Sequence, residues 1–259
     1  MATPKALVLR AAGTNCDRET QFALQQAGFG AERVHVFRLM EKPKALRDYQ
    51  FLVIPGGFSY GDDVAAGKIL ANQMIHRLAE PLNEFVAAGK LVLGICNGFQ
   101  VMIKAGLLPW GKVDGKTANR DATLAWNDSG RFEDRWIHLR GDSDRCVFLP
   151  AGQVIALPIA HGEGKFIPAD QAVLEKLRAN GQIALRYVGD DGRPGPYPIN
   201  PNGSVDDVAG LCDASGRVMG LMPHPERFVD ITQHPRWTTG KITKPDGAIF
   251  FQRAFQTLK

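Results

Sequence analysis

The sequence lacks what a membrane, secreted or nucleic-acid-binding chain needs. Its longer apolar runs, such as Leu91–Ile95 and Val154–Ile159, are broken by Gly or Pro well before the roughly 18 residues a membrane-spanning helix requires. The opening residues, Met1 to Lys5, show no basic head followed by an apolar stretch, so no secretory signal is expected. Cysteine is scarce: the residues at 16, 96, 146 and 212 form no CxxC pair and no metal-like spacing. That argues against a disulfide framework and suits reduced thiols in a cytoplasmic chain. A net charge of +4 is small, and Lys and Arg are scattered, whereas a nucleic-acid partner would call for a basic stripe. There is no internal repeat, no low-complexity tract and no linker long enough to separate domains. One domain over 1–259 is therefore expected.

What is present is an alternation of strand and helix signals. Ala6–Leu9, Val34–Leu39, Phe51–Ile54 and Leu91–Ile95 read as strands. Between them the pattern predicts a helix from Asp17, as N-cap, to Ala27, and a helix from Ala65 to Ala88; another runs from Gly98 to Ala105. Such alternation implies βαβ units. The fold class is accordingly α/β, an open, mostly parallel sheet flanked by helices. After Pro109 the signals thin to strand-like pieces at Arg135–Arg140, Val154–Ala160, Ile183–Val188 and Val218–Met222. Gly189–Gly203 reads as loop, and a helix near Asp246–Leu258 closes the chain.

The pentapeptide Gly94-Ile95-Cys96-Asn97-Gly98 carries the first chemical signal. It has the G-x-nucleophile-x-G form of a nucleophile elbow, with an apolar strand before it and a helix after. So tight a turn leaves no room for side chains at its flanks, which Gly94 and Gly98 provide. The thiol stands at a helix N-terminus, where unpaired N–H groups favour negative charge, and the N–H of Asn97 is placed to bind an oxyanion. Taken alone, the pentapeptide fits a glycine-flanked structural cysteine equally well.

A cysteine nucleophile needs a base, and the base needs a group to hold its tautomer. Two His-x-Glu triplets occur, His161-Gly162-Glu163 and His224-Pro225-Glu226, each after a strand-like run, so position alone does not choose between them. The second follows Val218–Met222 as Cys96 follows Leu91–Ile95, and the carboxyl ends of strands are where open α/β sheets gather ligands. The loop Pro55–Asp63 (PGGFSYGDD) is rich in glycine but lacks the G-x-x-x-x-G-K-[ST] order of a nucleotide-binding loop.

Read as longer strings, GTNCD (13–17), PGGFSYGD (55–62), GICNGFQ (94–100), RFE (131–133), PIAHGEG (158–164) and GLMPHPER (220–227) occur in this order. Together they resemble the class I glutamine amidotransferases, and within them the family of glutaminase subunits of phosphoribosylformylglycinamidine synthases. The resemblance implies a flavodoxin-like sheet, Cys96 as nucleophile, His224 as base and Glu226 as its orienting carboxylate. It further implies an oxyanion hole from Gly57 and Asn97, and contacts from Gln100, Arg131 and Glu133 to the amino-acid end of glutamine. It implies no metal or cofactor in this chain. ATP and magnesium would belong to a large synthetase subunit, accompanied by a small accessory subunit, and no nucleic acid or membrane would take part. Two departures are visible: Arg10-Ala11-Ala12 precedes Gly13, and extra residues lie near 118–134 and 190–203. Two rival readings stay open, a free-standing cysteine hydrolase and a non-catalytic regulatory subunit of the same fold.

Overall fold

The computed structural model of the protein describes residues 3–114 and 121–259. Its strands are β1 (Lys5–Arg10), β2 (Gly30–His35), β3 (Phe51–Ile54), β4 (Leu91–Ile95), β5 (Ala122–Trp126), β6 (Glu133–Gly141), β7 (Val154–His161), β8 (Glu163–Pro168), β9 (Ile183–Val188), β10 (Val208–Cys212) and β11 (Val218–Leu221). Nine of them form one sheet in the order β2-β1-β3-β4-β11-β10-β9-β6-β7, and β5 and β8 make a separate ribbon. From β2 to β11 all neighbours are parallel; beyond β11 all are antiparallel. Following these pairings, only β10 and β6 are reversed against the rest of the sheet.

Sequence pattern explains the two halves. FLVI in β3, LVLGI in β4 and VMGL in β11 are buried at every position, as parallel strands covered on both faces must be. By contrast β7 alternates buried and half-buried residues along VIALPIAH, as a strand with one wet face does. This antiparallel wing extends the open α/β sheet expected from the sequence.

The helices are α1 (Asp17–Gln26), α2 (Val36–Glu41), α3 (Lys68–Arg77), α4 (Ala79–Ala87), α5 (Asn97–Lys104), α6 (Gln171–Ala179) and α7 (Ala248–Thr257). Several expected boundaries are corrected. Asp17 is not the N-cap of α1: Cys16 holds that place, and the Asp17 carboxylate instead bonds Arg10 at 2.7 Å and Arg33 at 3.1 Å. The second strand ends at His35, whose Nδ1 accepts from the Phe37 N–H at 3.3 Å and starts α2 where strand was expected. The long helix over 65–88 is two helices broken at Leu78. Pro81 has no N–H to bond back along a continuous helix, so it is tolerated only in a first turn. The segment near 118–134 falls partly outside the described residues, and the rest of it forms β5 and the approach to β6. The segment near 190–203 is a loop whose Tyr197 ring lies 4.6 Å from the Arg135 guanidinium.

One hydrophobic cluster runs through both halves of the sheet, and α5 is buried along its whole length. The elbow between β4 and α5 is the tightest point. Cys96 sits at φ 50, a left-handed conformation that costs a non-glycine residue about 1 kcal/mol or more. A Cβ on Gly98 would lie 1.9 Å from the Ile54 carbonyl oxygen, a backbone atom with no freedom to give. Gly98→Ala is therefore expected to destabilise the fold by about 3 kcal/mol, measured as a lowered denaturation midpoint at unchanged m-value; an unshifted midpoint would refute this account of the turn.

Candidate active site

Strands β4 and β11 are parallel neighbours with Leu221 opposite Ile95, so the residues that follow them leave the same edge of the sheet. The first is Cys96, whose N–H donates to the Leu221 carbonyl at 2.7 Å. The second is His224, whose N–H donates to the Pro158 carbonyl of β7 at 2.9 Å. The antiparallel wing thus curls back over this edge, and the Cys96 thiol approaches the Ala160 carbonyl at 3.8 Å.

His224 and Glu226 are 1 % and 0 % exposed. The ring Nδ1 and the Glu226 Oε1 are 2.7 Å apart. A carboxylate accepts, so Nδ1 carries the proton and Nε2 is left to face other groups; it has no partner among the described residues. Burial alone would lower the His224 pKa, but the Glu226 carboxylate, the Cys96 thiol and the Cys16 thiol together hold it well above the usual histidine value. A proton on this ring is accordingly stable beside the thiol. His161, the other candidate, differs in kind. Burial first, then the charges of His224 and Arg135, push it down to about 3, and its Nδ1 is taken by the Asn127 Oδ1 at 3.1 Å. Of the two His-x-Glu triplets, only the second has its ring bonded to its own glutamate among the described residues.

Gly57 and Asn97 stand on two segments joined by hydrogen bonds. Neither N–H is bonded among the described residues, and the Asn97 side chain ties the two segments: its Oδ1 accepts from the Ser59 N–H at 3.1 Å and its Nδ2 donates to Asp62 at 3.1 Å. Gly57 has φ 134 and a Cβ there would meet the Asn15 N–H nitrogen at 2.7 Å, so only glycine permits this path. Gly56 is equally constrained. A Cβ on it would lie 2.8 Å from His224 Cε1, 3.2 Å from Cys16 Sγ and 3.4 Å from Cys96 Cβ.

A cavity of about 230 Å³ opens over the thiol, lined by Cys96, His224, Gly57, Phe58, Asp134 and Arg227 among others. None of the three residues expected to contact glutamine lines it. Gln100 is 4 % exposed, and its amide is engaged with the Glu163 carbonyl at 2.6 Å and with Asn97 at 3.0 Å. Arg131 is exposed outside the cavity, and Glu133 bonds Arg135 and the Ser129 hydroxyl. Side chains alternate along an extended chain, and Phe132 and Asp134, not Arg131 and Glu133, line the cavity.

Sequence reasoning passed over Arg227 as a site residue. Arg227 Nη2 donates to Cys16 Sγ at 3.1 Å, and burial holds the Cys16 thiol above its usual pKa against the lowering influence of His224 and Arg227. The placement of HPER beside the chemistry was the available signal. The one group of metal-type donors among the described residues is Cys16, His224 and Glu226, within 4.8 Å of one another; the hydrogen bond between His224 and Glu226 already occupies two of its members.

The geometry is that of an acyl-transfer site, and comparison with known proteins agrees. A family profile described as a CobB/CobQ-like glutamine amidotransferase domain matches residues 3–256. The chain belongs to the glutamine amidotransferase family. The amidotransferase is 45% identical over 257 residues to the phosphoribosylformylglycinamidine synthase subunit PurQ of Dehalococcoides mccartyi, covering 98% of this chain and 97% of that one. It is 47% identical over 244 residues to the subunit of the same name from Treponema denticola, covering 89% and 90%. Among solved structures it resembles a chain of PurLQS from Thermotoga maritima, with a TM-score of 0.76, 33% identity and 100% of both chains covered. No helix among the described residues of the amidotransferase is long and apolar enough to cross a membrane.

Proposed function

We propose that this amidotransferase is the glutaminase subunit of a phosphoribosylformylglycinamidine synthase, the whole chain acting as one domain. The observation that carries the reading is the Cys96 elbow beside a buried His224 bonded to Glu226 at 2.7 Å. Near-full-length similarity to subunits of that name supports the choice of pathway.

The thiolate of Cys96 attacks the side-chain amide carbon of glutamine. Charge develops on the amide oxygen, where the Gly57 and Asn97 N–H groups receive it; one such donor is worth about 3 kcal/mol in the transition state. Protonated His224 gives its proton to the departing nitrogen, ammonia leaves, and a γ-glutamyl thioester remains on Cys96. The now neutral His224 takes a proton from water, which attacks the thioester and releases glutamate. Ammonia passes to a large synthetase subunit, with a small accessory subunit in the complex, and there amidates formylglycinamide ribonucleotide. ATP and magnesium are used by that synthetase, and this chain needs no cofactor of its own. Four cysteines that are all free and buried support a reducing, cytoplasmic setting.

The loop at 55–63 contains Tyr60 and Asp62 at positive φ, so its catalytic shape is held against local preference by Asn97 and by contact with other groups. Docking of the synthetase is expected to complete that alignment. Glutamate release should therefore rise about tenfold or more, worth about 1.4 kcal/mol, when purified synthetase and accessory subunits are added. A free subunit as fast as the assembled complex would defeat this aspect of the reading, and a mixture that forms no glutamine-dependent product would defeat the whole.

A further inference from the structure

Burying a lysine costs free energy unless opposite charge is set against it, and α5 buries one. Lys104 is 7 % exposed at the end of that helix. Asn97, Gln100 and Lys104 are spaced three and four residues apart, which puts them on one helix face, and all three are buried. We propose, resting on the glutaminase reading, that Asp62 is a positioning residue of the oxyanion hole. Countered by Lys104, its carboxylate sets the Gly57 loop against the Cys96 elbow through the Asn97 side chain.

Hydrogen bonds fix the Asn97 amide in one orientation. Its Nδ2 donates to Asp62 Oδ1 at 3.1 Å and to Gln100 Oε1 at 3.0 Å. Its Oδ1 is thereby turned to the N–H of Ser59, two residues past Gly57, and accepts from it at 3.1 Å. A flipped amide would set a donor against a donor at Ser59 and an oxygen against the Asp62 carboxylate. Asp62 Oδ1 also accepts from the Gly67 N–H at 3.1 Å, which pins the far end of the same loop. The charges are matched. Burial raises the Asp62 pKa, and the Gly67 N–H, Asn97 and Lys104 oppose it. Burial also raises that of Glu163, the carboxylate of the unused His-x-Glu triplet, against Lys104 and the Ala66 N–H. Lys104 is lowered by burial and supported by Glu163 and Asp62 in turn. One cation therefore serves two carboxylates, one on the loop and one at the start of β8. Asp62 sits at φ 55, a backbone that Asn adopts as readily as Asp, so Asp62→Asn removes the charge without straining the turn.

The test uses the complex assembled with its synthetase partners and reads glutamate release. Asp62→Asn is expected to lower kcat about tenfold or more, part of the roughly 10²- to 10³-fold that loss of one oxyanion donor costs. KM for glutamine should stay within about twofold of wild type, because the interaction is made in the transition state only. Asn97→Ala keeps its backbone N–H but loses the tie, so adding Asp62→Asn to it should cost nothing further. Lys104→Met keeps the buried stem but leaves the two carboxylates to repel each other, and should also lower kcat alone by about tenfold. Should Asp62→Asn fail to assemble, Lys104→Met decides. Unchanged kcat in the charge variants, a loss carried by KM, or additive losses in the double variant would overturn the assignment while leaving the glutaminase reading intact. A wild-type complex that releases no glutamate would remove both.

Discussion

Replacing Cys96 by Ala is expected to abolish glutamine hydrolysis, a loss of about 10⁴-fold or more, while the assembled complex still forms product when supplied with an ammonium salt. The size follows from what the thiol does. Without it there is no acyl-enzyme, and the remaining donors at Gly57 and Asn97 can only polarise an amide that nothing attacks. The change is small in volume at a site already 6 % exposed, and Ala accepts φ 50 no worse than Cys does, so folding and docking should persist. Ammonia rescue separates two explanations of a dead enzyme. If added ammonium restores the amidation, the defect lies in the glutaminase step. Should hydrolysis survive in Cys96→Ala, the nucleophile has been misassigned, and a binding role for the chain would be the better reading.

Glu226→Gln is expected to lower kcat/KM by about 10² to 10⁴, as loss of the orienting carboxylate does in triads of this kind. The side chain keeps its shape but loses its charge, and its amide can turn a nitrogen toward Nδ1, favouring the wrong tautomer. It should also move the pH profile. In the native site burial would depress the His224 pKa, and the Glu226 carboxylate foremost, with the two thiols, overcomes this. Removing the carboxylate lets burial act with less opposition, so the His224 pKa falls. The acid needed for ammonia to leave is present below that pKa and lost as pH rises through it. The basic limb of the acylation rate should therefore shift to lower pH in the variant. Stability moves consistently: the raised folded-state pKa contributes stability that is whole below the unfolded value of about 6.5 and disappears as pH climbs through the folded one. The wild-type advantage over Glu226→Gln from this source should shrink in that window. A basic limb that stays in place would sink the proposed role of Glu226.

How much of this could be read in the chain depended on how local each signal was. The elbow was legible because tight turns demand glycines at fixed offsets, and a strand of five apolar residues ending at such a turn has few other meanings. The central parallel strands were legible for the same reason. Pairing of His224 with Glu226 was guessed from spacing, but the choice against His161 needed burial and the partner on its other nitrogen, which are tertiary facts. Of the residues expected to contact glutamine, Gln100, Arg131 and Glu133, none lines the cavity over Cys96, and for the last two the reason is that the parity of an extended segment depends on which face the next strand covers. Helix α6 went unread although Asp170 caps it by accepting from the Val173 N–H at 2.8 Å; its apolar stripe, Leu174 and Leu177, is too short to stand out. Strands β5 and β8 were lost because antiparallel pieces of five or six residues with one wet face resemble loops in composition, and β10, though buried throughout, is only five residues long with Gly210 at its centre.

The contact between Arg227 and Cys16 joins residues 211 positions apart, and it has a consequence for how the protein is made. Synthesis delivers the nucleophile early and its base almost last. A growing chain that stops anywhere before residue 224 carries a thiol with no imidazole beside it, and it cannot release ammonia. Because such distant pairings form slowly, activity appears as one late event, when the final loop seats on the first.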